Sequence, residues 1–261
     1  MTTGRSRLRR APVSALAGLA LGALVLSGCA TPPTDPAARA EFERNNDPLE
    51  PTNRRIFAFN LAVDDAIGKP LARAYREVPP FIRDRVRSVT ENFNAPVVFI
   101  NDILQGEQAR AAETFVRFFI NTSLGFGGLF DVAGGYGLKA HKEDFGQTLA
   151  VWGFPEGPYL MLPFLGPSNV RDLAGRLVDS RINPLSYVLS DAGLAWLEIV
   201  GAALDAVDTR ERNLEAVDEL KKTSLDFYAS VRSFYRQVRD GEIANGRRSR
   251  IPVPGDEERP K

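Results

Sequence analysis

The sequence predicts a mainly α-helical protein whose helices are joined by irregular, Pro- and Gly-rich connections. Three observations carry this. Apolar residues in the middle of the chain recur at steps of three and four, the spacing of one helix face. Strand-like alternation is scarce. Glycine and proline, 22 and 18 of the 261 residues, gather between the periodic stretches and punctuate them. With 44% apolar and 25% charged residues, the chain has an ordinary globular composition and can bury a core.

The first 28 residues stand apart. Arg5, Arg7, Arg9 and Arg10 form a basic n-region. "APVSALAGLALGALVL" follows as an apolar h-region, too short and too rich in small residues for a membrane span. It ends in "LSGC", Leu26 to Cys29, which has the form of a bacterial lipobox. There the cysteine is acylated and becomes the mature N-terminus. Cys29 is the only cysteine, which excludes an intramolecular disulfide and assigns the thiol to lipid attachment. Two or more acyl chains on one residue make a durable anchor. The next residue is Ala30 rather than Asp, which favours the outer membrane over retention at the inner one. Cleavage removes four arginines from a chain with 33 basic and 33 acidic residues, leaving a small acidic excess. No basic surplus points to nucleic acid, and no polybasic block points to anionic lipid. Residues 29–46 read as a polar, lipid-anchored tether and 47–245 as the folded domain. Residues 246–261 have the composition of a disordered tail.

Within the domain, Ile56, Phe59 or Asn60, Val63 and Ile67 mark a helix stopped by Gly68 and Pro70. Phe57 and Phe59 cannot both lie on the face of Ile56 and Val63. At least one therefore meets lipid or another helix. A second helix follows Pro80, with Phe81, Val86, Val89 and Phe93. "APVVFINDILQG" reads as a separate short helix ending at Gly106. In "EQARAAETFVRFFINTSLG", Arg110, Glu113 and Arg117 fall on one narrow polar stripe. Ala109, Ala111, Ala112, Phe115, Val116, Phe118, Phe119 and Ile120 cover the rest, so this helix is buried in protein or in lipid. Glu113 precedes Arg117 by four, the favourable order for a helix ion pair.

Gly125, Gly127 and Gly128 open a turn-rich connection. "EDFGQTLAVWG" is a short helix or an extended piece. From Trp152 to Asp172, "WGFPEGPYLMLPFLGPSNVRD" is strongly apolar, yet its four prolines forbid a long helix and its glycines weaken a strand. The prolines read as corners between short extended pieces that set apolar side chains on core or acyl chains. Tyr159 keeps its hydroxyl at a polar boundary. A further helix is capped by Ser168 or Asn169 and stopped at Asn183-Pro184. Leu194 to Gly241 reads as one long or broken helix, with Phe227, Val231, Phe234 and Val238 as a stripe that needs a packing partner.

The catalytic inventory is poor. His141 is the only histidine, so no metal site with two or more histidine ligands exists within one chain. No serine sits in G-x-S-x-G. "GYGLKA" fits G-x-G-x-x-A but lacks the strand and helix that a dinucleotide site requires. In "HKED", His141 is expected to be an exposed polar residue, and the adjacent Glu143 and Asp144 to be solvated carboxylates. No catalytic residue, metal or cofactor is expected.

Taken in order, several segments resemble the MlaA (VacJ) lipoprotein family: "NDPLEPTNRRIFAFN", "LQG", "RFFINTSLGFGGLFDVA", "EDFGQTLAVWG", "GPYLMLPFLGPSNVRD" and "DTRERN". The resemblance runs from about Asn46 to Gly246. It implies a ring-shaped helical body lying in one leaflet of the outer membrane, enclosing an amphipathic channel. Through it, mislocalised phospholipids pass to a soluble periplasmic carrier, and trimeric porins are the implied membrane partner. In that frame Arg110, Glu113 and Arg117 are either a polar path through the channel or a buried ion pair tying helices together. Gly125, Gly127 and Gly128 are either a hinge or a site of tight helix packing. Phe57, Phe59, Phe118, Phe119, Tyr159, Leu160, Met161 and Phe164 are the candidates for lipid contact.

Overall fold

A computed structural model describes residues 32–245. The signal stretch, the lipobox with Cys29 and the tail from residue 246 lie outside the described residues. The elements run α1 (Pro36–Asn45), α2 (Glu50–Val63), a π-helical turn (Asp64–Gly68), α3 (Lys69–Arg76), α4 (Pro80–Leu104), α5 (Gln108–Ser123), α6 (Val132–Gly135), α7 (Phe145–Val151), β1 (Tyr159–Leu162), β2 (Gly166–Asn169), α8 (Val170–Ile182), α9 (Pro184–Asp191), α10 (Trp196–Arg212), α11 (Leu214–Thr223) and α12 (Phe227–Ile243). The fold is mainly α, as the periodicity predicts. Among the described residues, no helix is long and apolar enough to cross a membrane.

Contacts between elements close a circuit. Helix α2 packs on β1, β1 pairs with β2, and β2 meets α12. Helix α12 meets α7, which meets α4. Helix α10 then bridges α4 and α3, and the π turn returns the chain to α2. Helix α5 lies along α4. The ring thus follows from the order of contacts.

The link between α2 and the hairpin is polar. Asn53 on α2 donates to the Tyr159 carbonyl at 3.0 Å and to Asp47 Oδ1 at 2.8 Å, and accepts from the Met161 N–H at 2.9 Å. Asp47 Oδ2 accepts from the Tyr228 hydroxyl (2.5 Å) and from Arg232 (2.7 Å), which brings α12 to the same point. Two turns along α2, Asn60 repeats the motif on the Leu162 carbonyl and the Phe164 N–H.

Four expectations about elements change. Residues 29–46 are not all loose tether, since Pro36–Asn45 is helical. The two helices expected on either side of Pro96 are one, α4. Proline inside a helix costs about 3 kcal/mol through the lost N–H and the ring clash. Helix α4 continues because α5 packs along it and because Asn92, whose carbonyl loses its partner, borders a polar chamber. The stretch from Trp152 to Asp172 contains a regular element, an antiparallel hairpin pairing Tyr159 with Asn169 and Leu162 with Gly166. Pro158 and Pro163 do sit at corners on either side of β1, whereas Pro167 lies inside β2, paired with Met161. Phe164 (φ 63°) and Gly166 (φ 77°) make the turn in the left-handed region.

The stop expected at Gly68 and Pro70 also fails: the backbone stays helical from Glu50 through the π turn to Arg76, with Pro70 in the first turn of α3, where its missing N–H is tolerated. The other boundaries fall close to the sequence reading. Asn169 caps α8 by accepting from the Asp172 N–H at 2.7 Å. Helix α8 ends at Ile182, and Asn183 caps α9. The stretch from Leu194 to Gly241 is broken into α10, α11 and α12.

Candidate functional site

Burial in this protein is inverted. Among the described residues, twenty buried side chains are polar or charged and only nine are apolar. Large apolar side chains stand outside instead, among them Phe81, Phe119, Phe126, Trp196 and Ile199. A water-soluble domain keeps charges outside because an isolated buried charge is prohibitively costly. Here the buried charges are paired, and the apolar surface faces out.

The polar side chains of α4 and α5 line a chamber of about 310 Å³. Its wall includes Glu91, Asn92, Asn94, Arg117, Asn121, Asp131, His141, Glu143, Asp179 and Asp205. A second cavity of about 880 Å³ adjoins it and is mostly apolar, with Ile82, Val86, Val89, Phe93, Leu129 and Leu204. Thr90, Asn94, Val97, Asp179 and Asp205 belong to both walls. A third, polar opening of about 650 Å³ shares Ser88, Glu91, Asp131 and Ala140 with the first and Arg85 with the second. Three connected spaces, polar to apolar, thus follow α4.

The predicted polar stripe of α5 points toward this region, and its members have fixed partners. Arg117 is buried, pairs with Asp131 at 3.0 Å and donates to the Leu138 carbonyl. Burial opposes ionisation of Asp131. Hydrogen bonds from Asn121 and Gly134 and the Arg117 charge outweigh it and hold the carboxyl below its usual value. Arg110 pairs with Glu143 at 2.7 Å, and Glu113 accepts from the Lys139 N–H at 2.8 Å. Of the three, Arg117 lines the chamber. The bonds run from α5 to the segment between Asp131 and Glu143, so the stripe holds that segment against the helix.

Three residues of "HKED", His141, Glu143 and Asp144, are not in the settings sequence reasoning gave them. His141 is largely buried, with Nε2 at 3.0 Å from Asp102 Oδ2 and 3.3 Å from Thr114 Oγ1. Glu143 is buried and bound to Arg110 and Gln105. Burial pushes its carboxyl pKa up, against the lowering from Gln105 and Arg110. Asp144 caps α7 through the Gln147 N–H at 2.9 Å and pairs with Arg239 at 2.6 Å. The partners Asp102, Arg110 and Arg239 are remote in sequence, which is why the local composition misled. Asp102, His141 and Glu143 place ligand atoms within 4.8 Å of one another. The Arg110 guanidinium already occupies the carboxylates there, so the set is neutralised by a side chain.

Glycines 125 and 128 occupy tight positions. A Cβ on Gly128 (φ 94°) would collide with the Asn92 side chain, and one on Gly125 with the Phe130 and Asn121 carbonyls. Gly127 (φ 71°) has open space around it. The geometry at Gly125 and Gly128 is that of close packing onto α4 and α5.

The candidates for lipid contact divide. Phe59 (45% exposed), Phe119 (65%) and Phe164 (74%) stand on the outside, and Phe59 and Phe164 stack edge-on at 5.2 Å. Phe57, Phe118 and Leu160 are half-buried, and Phe57 packs on Phe227 and Tyr228. Tyr159 and Met161, each 2% exposed, are corrected: with Tyr228 they form the apolar core beneath the hairpin. They alternate with Leu160 and Leu162, and period-two alternation turns them inward. The Tyr159 hydroxyl does not reach a polar boundary either. It is buried with no hydrogen-bond partner among the described residues, and burial pushes its pKa well up.

A closed helical circuit with a charged interior, an apolar exterior and a polar-to-apolar passage defines an amphipathic ring. The chain belongs to the MlaA lipoprotein family, whose model matches residues 45–242. It is 39% identical over 237 residues, 88% of this chain and 89% of the relative, to the intermembrane phospholipid transport system lipoprotein MlaA of Escherichia coli K12. The corresponding lipoprotein of Haemophilus influenzae is 32% identical over 243 residues, 88% of this chain and 92% of the relative. A solved chain, described under the structural basis for maintenance of bacterial outer membrane lipid asymmetry, superposes with a TM-score of 0.67. It is 36% identical, covering 76% of this chain and 98% of its own.

Proposed function

We propose that this protein is an outer-membrane lipoprotein that removes mislocalised phospholipids from the outer leaflet and passes them to a soluble periplasmic carrier. It would thereby maintain the lipid asymmetry of that membrane. Cys29 carries the lipid anchor, the ring lies in the periplasmic leaflet, and a trimeric porin is the membrane partner. The observation that carries the reading is the inverted burial around connected polar and apolar chambers. An amphipathic molecule needs both surfaces along one route. Apolar side chains outside favour an acyl environment, at about 1.5–3 kcal/mol for each large side chain fully removed from water. The names of the relatives, a phospholipid transport lipoprotein foremost, point the same way.

The site performs no covalent chemistry in this reading. Arg110, Glu113 and Arg117 fix the wall of the polar chamber, and Phe59, Phe119 and Phe164 contact lipid. The test is to purify the mature protein in mild detergent, identify bound lipid by mass spectrometry and measure transfer to the carrier. Bound phospholipid and transfer are expected. A protein that holds porin but neither binds nor transfers lipid is a structural adaptor, and the transport reading then fails. Cys29→Ala is expected to leave the outer-membrane fraction. Its retention there would overturn the anchor assignment.

A further inference from the structure

The charges around the polar chamber do not balance. Three of its carboxylates have cationic partners: Asp131 with Arg117, Glu143 with Arg110, and Asp144 with Arg239. Glu91, Asp179 and Asp205 also line the chamber, and among the described residues none of them forms an ion pair. Asp179 is held by the Phe145 N–H (3.0 Å) and by Asn101 (3.0 Å), both neutral donors. Burial pushes the pKa values of Glu91 and Asp179 up, against the lowering by nearby groups. Among the described residues, Lys142, exposed at the same chamber, is the one other lysine or arginine besides Arg117 on its wall.

The shortage sits where the spaces join. Asp179 and Asp205 belong to both the polar and the apolar cavity, and Glu91 to the polar chamber and its opening. The opposite charge is near. Arg85 lines the apolar cavity and the opening, and among the described residues its hydrogen bonds go to the Phe81 and Leu129 carbonyls. Its guanidinium stacks on Phe130 at 4.6 Å. Arg85 and Glu91 are six residues apart on one helix, a rise of about 9 Å. Among the described residues, the route therefore presents a cation without a carboxylate ion-pair partner, then carboxylates without a cationic one, beside an apolar space.

We propose that this junction selects phospholipids with a zwitterionic amine headgroup, phosphatidylethanolamine in kind, over anionic ones such as phosphatidylglycerol. The phosphate faces Arg85 and the ammonium faces Glu91 and Asp205. A lipid with no ammonium brings a net negative charge to unpaired carboxylates and is disfavoured. The inference rests on the transport reading above and specifies its substrate.

The full-length mature protein is incubated in mild detergent with an equimolar mixture of the two lipids, and the bound fraction is read by mass spectrometry. An enrichment of phosphatidylethanolamine of about fivefold is expected, equivalent to about 1 kcal/mol. Glu91→Gln with Asp205→Asn brings the ratio toward one, with the thermal midpoint unchanged. Glu91 and Asp205 hold no ion pair, so their replacement leaves the fold's bonds in place. Arg85→Gln lowers total bound lipid of both kinds. A ratio near one in the unmodified protein overturns the selectivity while leaving transport intact. So does a fivefold ratio that survives the double substitution. No bound lipid of either kind overturns both.

Discussion

Replacing Asn53 by Ala tests whether the ring is closed by the polar link between α2 and the hairpin. The side chain is buried and makes three hydrogen bonds, to Asp47, the Tyr159 carbonyl and the Met161 N–H. Alanine leaves two backbone groups and one carboxylate oxygen without that partner in the same buried place. An orphaned buried polar group costs about 1–3 kcal/mol. Taking the lower end of that range, about 1–1.3 kcal/mol for each of the three, gives a loss of about 3–4 kcal/mol. For a domain of about 200 residues, 1 kcal/mol shifts the midpoint by about 2–4 °C, so a fall of about 6–16 °C is expected in thermal unfolding followed by circular dichroism. Asn60→Ala is the internal control. It removes two bonds from a partly exposed place on the same helix, where water replaces the partners, and is expected to cost less than half as much. Equal shifts for the two variants, or a fall of a degree or two for Asn53→Ala, would refute the argument that this buried link closes the ring.

Arg117→Ala is expected to destabilise by about 2 kcal/mol, below the range for a fully buried pair because Asp131 is partly exposed. If Arg117 also belongs to the lipid route, transfer to the carrier falls further than in a variant of equal stability altered elsewhere. Transfer matching that variant would confine Arg117 to structure. Gly128→Ala forces a side chain against Asn92 at a positive φ and should cost more than 2 kcal/mol, against about 1 kcal/mol for Gly127→Ala, where space is open; denaturant midpoints give the comparison. Arg54 bonds to Asp226 and depresses its pKa to about 2, aided by the Ala229 N–H. A depressed carboxylate stabilises above its unfolded value near 4, and that gain is lost as pH falls through about 2. Because the pair is nearly half exposed, the gain is discounted to about 0.5–1 kcal/mol. Asp226→Asn should therefore lower the midpoint at pH 7 and converge on the unmodified protein near pH 2.

Local signals were legible wherever one element supplied all the information. The α5 stripe follows from 3.6-residue periodicity. The α8 cap at Asn169 and the stop at Asn183-Pro184 follow from short-range backbone chemistry. Pro96 misled because the rule against interior proline is also short-range, whereas the packing of α5 that sustains α4 is tertiary. The hairpin escaped because its prolines and glycines suggested irregularity, although Pro163 and Gly166 fall at its turn and a two-stranded ribbon tolerates Pro167 opposite Met161, since both strands are edges. At the site, Arg117 could be placed on a polar stripe, but His141 and Glu143 could not be placed inside. Their burial depends on Asp102 and Arg110, brought near by the α4–α5 pairing. Tyr159 and Met161 were misassigned for a related reason. Alternation tells which residues share a face, and only α2 and α12 beneath the hairpin decide which face is inside.

The inverted interior has a calorimetric consequence. The heat-capacity increment of unfolding comes from newly wetted apolar surface, and newly wetted polar surface subtracts from it. An ordinary domain gives about 12–15 cal/mol/K per residue. Here melting wets a mostly polar interior, while much of the large apolar surface stands outside already. The increment should fall well below that range, and the dome of free energy against temperature should flatten. Such a protein gains little from warming or cooling toward an optimum. Its folding equilibrium is set instead by the medium against its outer surface.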